Sequence, residues 1–561
     1  MSAFDLLDPV LVDEGLVTKD QMAIAKESQK NLGEPLEQVL MERGFVTEQQ
    51  LLKALSKKIK TPFVSLGRFK LDPAVVKLIP AKLAKKYRAI PLFKIENKIT
   101  IATSNPLDLL ALDDLQATLG CNIEAMLTLD SDIERVIKEY YRGDGLTTSQ
   151  QTAKVEIITA DIDLPTEIQA EKLEKEASGK DIINSVNNII CQAVDERASD
   201  IHIEPAREKV TVRFRLDGVL EDFTTLPKAM HLPIISRIKI LGSMDVAESR
   251  VPQDGRVRLR LNEKEVDVRI ATYPTMFGEA SAIRLLSKDQ LITLENLGFY
   301  QEDLVKFQEL IVKPHGILLV TGPTGSGKTT TLYAALSRIN TRDKHILSIE
   351  DPIENEIEGV DQQQVNVKAG MTFAAALRAM LRQDPDVIMV GEIRDLETAD
   401  IAMRAAMTGH FVFSSLHTNN AVGAITRLID LGIEPFLISS SLVGVMAQRL
   451  VRKICLYCKE EITPDEKKLK QLAPKKPFEK IFAGKGCKHC RQTGYSGRVG
   501  LFEILQVNEE LINLIGKKAS ESEIREMAMA HGHKGLVDDG IEKIRQGQTT
   551  LDEVMRVTAL L

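Results

Sequence analysis

The stretch "TGPTGSGKTTTLYAAL", residues 321–336, decides the fold. Gly322, Pro323, Thr324, Gly325, Ser326, Gly327, Lys328 and Thr329 fit the spacing G-x-x-x-x-G-K-[ST]. The apolar run "GILLV" comes before it and the helical pattern "TTLYAALSRI" follows, which is the strand–loop–helix setting this spacing needs. Glycines at these points let backbone N–H groups turn inward as an anion nest at a helix N-terminus. Lys328 is then placed to reach the β and γ phosphates of a nucleoside triphosphate such as ATP, and Thr329 to ligate Mg2+. A chance Gly-rich turn does not account for both the spacing and its flanks.

Outward from the loop, "HILSIEDP", "VIMVGEIRD" and "HFVFSSLHT" are short apolar runs that end in polar residues, with helical segments between them. That is the pattern of a parallel sheet covered on both faces, which binds ligands at the C-terminal ends of its strands. Hydrolysis needs a carboxylate that orients and deprotonates water. Glu350 ends its strand directly before Asp351 and Pro352 and is the first candidate; Glu354 lies nearby. Glu392 is the second candidate and follows Gly391, which stands where an Asp is usual. It would hold the Mg2+ shell through water or polarise the attacking water. The sequence leaves open which of the two only braces a loop. His417 ends its strand on the loop side and reads as a γ-phosphate sensor, whereas His410 at the strand start reads as structural.

The chain has 561 residues, enough for three or four domains. It is 43% hydrophobic and 27% charged, an ordinary globular balance. Trp is absent and aromatics are 4%, which argues against stacking platforms for single-stranded nucleic acid. A net charge of -7 gives no global pull toward DNA or anionic lipid. No apolar run reaches the roughly 18 residues a bilayer span requires, and the acidic start "MSAFDLLDPV" lacks a basic n-region. The expectation is a cytoplasmic protein that meets a membrane only through partners and does not bind nucleic acid.

Residues 1–62 repeat internally: "LVDEGLVTKDQ" from Leu11 recurs as "LMERGFVTEQQ" from Leu40. Each unit reads as helix, Gly stop, Thr cap (Thr18, Thr47), helix. Residues 63–141 read as a small α/β unit, with a hairpin turning at Glu96–Asn97. Residues 142–179 are polar and aromatic-free and read as a linker with one helical stretch. From 180 to 290, "KVTVRFRL", "RVRLRL" and "EVDVRI" alternate as half-buried strands with an Arg-studded outer face that includes Arg213 and Arg215. The nucleotide core spans 291–453.

Of six cysteines, Cys121 and Cys191 stand alone and read as buried small hydrophobes. Cys455-x-x-Cys458 and Cys487-x-x-Cys490 form two knuckles, the ligand set of a tetrahedral structural Zn2+ site at 454–491. The 28 residues between the knuckles (459–486) exceed the usual ribbon spacing, so a helix or loop fills the gap. Disulfides and redox CxxC chemistry are weaker readings in a reducing compartment. Residues 492–561 read as a C-terminal helical part.

The loop at 321–329, "SIEDPIE", "VGEIRD" and "TGHFVFSSLHTN" resemble the Walker A, Asp box, Walker B and His box of the type II/type IV secretion ATPase superfamily, and "RASDIHIEP", "PQDGR" and "GRVGLFEIL" match it too. Within that family the chain is most similar to the type IV pilus assembly (extension) branch; the type II secretion branch shares its catalytic motifs and cysteines. The resemblance implies a RecA-like P-loop ATPase core preceded by a mixed β-sheet (PAS-like) domain, with an N-terminal regulatory or docking domain. It implies a homo-hexamer under an inner-membrane platform protein, with pilus alignment proteins as further partners, peripheral to the inner membrane. It also implies that Arg269 and Arg284, which flank the turn "YPTMFGE", reach the bound phosphates. The N-terminal repeat resembles the domain that binds cyclic di-GMP in some members. Both R-L-G triplets of that domain are replaced here, by Leu6–Asp8 and by Pro35–Glu37, and the second terminal Gln is Lys58. The expectation is that cyclic di-GMP is not a ligand. A DNA-translocating ATPase and a nucleotide-sensing regulator are the other readings, opposed by the charge and by the missing arginines.

Overall fold

The computed structural model describes residues 7–32, 36–66, 71, 73–95, 97–141, 155–159, 180–261, 264–287, 292–472, 474, 477–478 and 480–558. The chain forms two units, Met1–Lys288 and Asp289–Leu561.

The first unit begins with the helices Leu7–Asp13, Lys19–Leu32, Leu36–Glu42 and Glu48–Ile59. The repeat is a capping repeat. Thr18 and Thr47 accept the N–H of Gln21 and Gln50, whose side chains accept the N–H of Thr18 and Thr47 in return. Leu11, Leu40, Leu51 and Leu55 fill the space between the helices. Leu6 and Pro35 of the two triplets and Glu96 of the hairpin turn lie outside the described residues. A three-stranded sheet follows: β1 (Ala89–Ile95), β2 (Lys98–Thr103) and β3 (Asn122–Leu127). β1 and β2 are antiparallel, and helix Leu109–Leu119 crosses over to make β3 parallel to β2.

The larger sheet of this unit comprises β4 (Val155–Thr159), β5 (Asp200–Pro205), β6 (Lys209–Leu216), β7 (Val219–Pro227), β8 (Gln253–Leu261), β9 (Lys264–Thr275) and β10 (Gly278–Ser287), in the order β4-β8-β9-β10-β5-β6-β7. β4 falls within the stretch whose composition reads as linker. Four of its five residues pair with β8, with a bulge at Ile158, and the polar runs around them hide so short a strand. The rest of that linker lies outside the described residues. A mixed sheet is expected here, yet every pairing is antiparallel; tight turns at Asp217–Gly218 and Met276–Phe277 make hairpins of β6–β7 and β9–β10. Val257, Val268, Ile283, Ile201 and Phe214 bury the inner face. On the outer face one row runs across five strands: Arg256, Arg269, Arg284, Asp200, Arg215. Arg269 and Arg284 thus stand opposite each other. Asp200 accepts from Arg284 Nε at 3.0 Å and lies 3.4 Å from Arg215 Nε.

The second unit is built on β11 (Gly316–Thr321), β12 (Ile346–Glu350), β13 (Asp361–Gln364), β14 (Val387–Val390), β15 (Phe411–Leu416), β16 (Leu442–Ile454) and β19 (Tyr495–Gln506), ordered β13-β12-β14-β15-β11-β16-β19. All pairings are parallel except β16 with β19. A small hairpin, β17 (Lys459–Ile462) and β18 (Ile481–Gly484), leaves the core between β16 and β19. The part expected to be helical therefore opens with a long core strand. β19 is buried on both faces from Val499 to Phe502, which erases its period of two.

Behind β19, helix Leu536–Arg545 buries an ion pair. Lys543 Nζ and Asp539 Oδ2 are 2.5 Å apart, and Oδ2 also accepts the Phe502 N–H at 3.0 Å. The Lys543 ammonium lies 4.9 Å from the Tyr300 ring centroid and 5.2 Å from that of Phe502. Burial pushes the Asp539 carboxyl up and the Lys543 ammonium down, and the charge of each partner resists. Asp539→Ala should cost about 3–5 kcal/mol by stranding a buried ammonium, whereas Asp539→Leu with Lys543→Met should recover most of the loss. Denaturant melting of the two variants checks this, and an Asp539→Ala midpoint equal to wild type would contradict it.

Candidate active site

Thr321 ends β11, and helix Lys328–Ile339 starts six residues after Gly322. The loop between them leaves no room for side chains at two points. A Cβ on Gly322 would lie 2.5 Å from the Gln448 carbonyl oxygen, and one on Gly327 (φ +89°) 2.8 Å from Gln448 Nε2. Lys328 Nζ donates to the carbonyl oxygens of Gly322 (2.8 Å) and Pro323 (3.3 Å). Burial pulls the Lys328 ammonium down to about 8, with Glu392 resisting and Arg449 adding to the fall. Ser326 Oγ is buried without a hydrogen-bond partner, so the nest keeps an unmatched hydroxyl that suits a phosphate oxygen. Thr329 is exposed and accessible to a metal ion.

The two carboxylate candidates have different surroundings. Glu350 is 3% exposed. It accepts from Tyr333 OH, from Ser348 Oγ at 2.7 Å and from Gln362 Nε2 at 3.0 Å. Tyr333 OH in turn accepts the N–H groups of Glu354 and Asn355. Glu350 thus fastens the segment after β12 to helix Lys328–Ile339. Glu392 is half-buried; Arg394 pairs with it and His417 Nε2 lies 3.3 Å away. Burial pushes the Glu392 carboxyl up, but Arg394 and His417 together hold it below its ordinary value. Its field reaches Lys328. Glu392, His417 and Lys328 are therefore the sequence-derived residues that gather at the nest. His410 sits at the other end of β15, held by the Ala405 carbonyl oxygen at 3.0 Å. Arg269 and Arg284 belong to the first unit. The sequence reading passes over Tyr333, Arg394, Gln448 and Arg449. For Arg449 there was a signal: it is the first charge after the uncharged run Pro435–Gln448, and so sits inside a buried strand.

The four cysteines come together. The sulfurs lie within 4.8 Å of one another, with Cys455–Cys487 at 3.8 Å, Cys458–Cys490 at 3.7 Å and Cys487–Cys490 at 3.6 Å. Four thiolates about 2.3 Å from a tetrahedral metal would stand about 3.8 Å apart, so the set fits one ion. Backbone N–H groups of Cys487 and Gly494 point at Cys490 Sγ at 3.2 and 3.3 Å. The 28-residue gap is filled by the β17–β18 hairpin and helix Glu466–Leu472.

The Lys328 environment sets a pH response. Phosphate binding favours the ammonium, so the protonated site is the one that binds. Affinity for MgATP should be steady below pH 7 and fall by at least about tenfold between pH 7 and 9.5, as Lys328 deprotonates through its value near 8. Titration calorimetry across that range checks this, and a flat profile would contradict it.

The family model described as "Type II/IV secretion system protein" matches residues 175–556, and one for the MshEN domain matches 59–146. The chain is 39% identical to a type IV pilus assembly ATPase PilB of Myxococcus xanthus, over 99% of each chain. It is 42% identical to a protein of the same name from Thermus thermophilus, over 98% of this chain and 66% of that protein. It is also 49% identical to a type II secretion system protein E of Pseudomonas aeruginosa, over 70% of this chain and 78% of that one. The nest, its carboxylates and this match along the whole length make the chain an ATP-hydrolysing member of the type II/type IV secretion ATPase family.

Proposed function

We propose that this chain is the ATP-driven motor of type IV pilus assembly. It acts as a homo-hexamer on the cytoplasmic side of the inner membrane, against a platform protein and the pilus alignment proteins. The observation that carries this reading is the end-to-end match with a pilus assembly ATPase, N-terminal helices included. A type II secretion motor is the second reading, favoured by the higher identity of such proteins over a shorter span. No helix among the described residues is long and apolar enough to cross a membrane, so membrane partners are needed to transmit force. The altered triplets argue against cyclic di-GMP as a ligand.

In this reading Lys328 and the loop hold the β and γ phosphates, and Thr329 ligates Mg2+. Glu392 orients and deprotonates the attacking water, and His417 senses the γ phosphate. What moves Glu392 ahead of Glu350 is that both Glu350 oxygens are already committed to Tyr333, Ser348 and Gln362. Glu350 is then the brace. Arg269 and Arg284 supply the remaining cations from the first unit, where Arg256, Arg269 and Arg284 stand directly opposite one another on three neighbouring strands. Zn2+ is the metal that best suits four thiolates in a closed site.

Glu392→Gln should bind MgATP normally and turn it over at least about a hundredfold more slowly. A strain carrying it should lose surface pili and keep export of folded exoproteins. Loss of export with pili intact would transfer the chain to the second reading, and wild-type turnover would return the base to Glu350. The purified chain should carry about one Zn2+, lost in Cys455→Ser. Elemental analysis that finds no zinc without chelator would contradict the metal assignment.

A further inference from the structure

Arg449 is buried in β16, 6% exposed, behind the phosphate nest. Its Nη1 donates to the Gln448 carbonyl oxygen at 3.1 Å. Its Nη2 donates to the carbonyl oxygen of Asn419 at 2.8 Å and to Asn419 Oδ1 at 3.3 Å. A Cβ on Gly322 would stand 3.2 Å from Nη1, so the guanidinium packs against the mouth of the loop. Asn419 lies two residues beyond His417. Among the described residues no carboxylate forms an ion pair with Arg449. The acidic group that acts on it is Glu503 of β19, which is itself bonded to His533 Nε2 at 3.1 Å. A buried guanidinium whose hydrogen bonds all go to carbonyl groups is only partly compensated by Glu503, and such charges are costly unless a partner arrives. The adjacent nest is where several phosphate charges arrive.

We propose that Arg449 is a positioning residue of the nucleotide site, whose fork locks the His417 segment to the mouth of the phosphate loop and whose charge is balanced when the phosphates are bound. The guanidinium does not touch the reacting atoms. It acts through Asn419 on His417, and through its field on Lys328. The charged groups facing Lys328 are Glu392 after β14 and Arg449 in β16. Glu503 acts on Arg449 and is bonded to His533, and His417 lies beside Glu392. The proposal rests on ATP hydrolysis at this nest.

The test uses the full chain as wild type, Arg449→Lys, Arg449→Met and Lys328→Ala, with MgATP and MgADP affinity measured against pH beside turnover. Arg449→Lys keeps the charge and loses the fork, so affinity should stay within about threefold while turnover falls at least about tenfold. Arg449→Met loses the charge, so MgATP affinity should fall at least about tenfold, and by more than MgADP affinity. Its binding midpoint should move to higher pH, because Lys328 loses a like-charged neighbour, which a purely structural defect would not do. Wild-type affinity and midpoint in Arg449→Met would overturn the proposal. If that variant does not fold, wild-type turnover in Arg449→Lys overturns it. If wild type itself fails to bind MgATP while Lys328→Ala behaves identically, the ATPase reading is what falls.

Discussion

Two cations, half-buried Lys328 and buried Arg449, lie beside a loop whose backbone leaves a phosphate-sized nest. Among the described residues neither forms an ion pair, and the fields of Glu392 at Lys328 and of Glu503 at Arg449 offset only part of the cost. A cradle of this kind is electrostatically unfinished until an anion fills it, and in a low-dielectric site that deficit is what makes charge stabilisation strong. The parallel sheet serves that arrangement. β11 delivers the loop, β14 and β15 bring Glu392 and His417 to the same edge, and β16 brings Arg449 up behind. Glu350, Ser348, Gln362 and Tyr333 form a buried network that holds the next loop still.

The first unit carries a row of arginines on one face of its larger sheet. Arg256, Arg269 and Arg284 occupy adjacent rungs of an antiparallel sheet, with Asp200 beside the third. Like charges at that spacing repel, and an anion shared between them removes the penalty. An enzyme that couples ATP to movement needs part of its site on a body that can leave. In the proposed reading a guanidinium row would meet that need, because its hold would depend on the γ phosphate that hydrolysis releases.

Much of this was legible in the sequence because the informative residues act locally. The phosphate loop announces itself through spacing and flanks. The four cysteines do so through two short knuckles, and the Thr–Gln capping boxes through a repeat of identical chemistry. The pairing of Arg269 with Arg284 followed from counting back from one turn. What stayed hidden depends on tertiary burial. Nothing in "SIEDPIE" says that both Glu350 oxygens are satisfied from a helix and a strand elsewhere. Nothing in "MAQRLVR" says that its first arginine ends behind the nest. β4 and β19 escaped notice because one is five residues in a polar stretch and the other is apolar on both faces.

Paired affinity and turnover measurements on Arg269→Ala and Arg284→Ala test the proposed part of these first-unit arginines in ATP hydrolysis. MgATP affinity should stay within about threefold of wild type while turnover falls at least about a hundredfold, a barrier increase of about 2.7 kcal/mol. Turnover within about twofold of wild type in both variants, under about 0.5 kcal/mol, would contradict it.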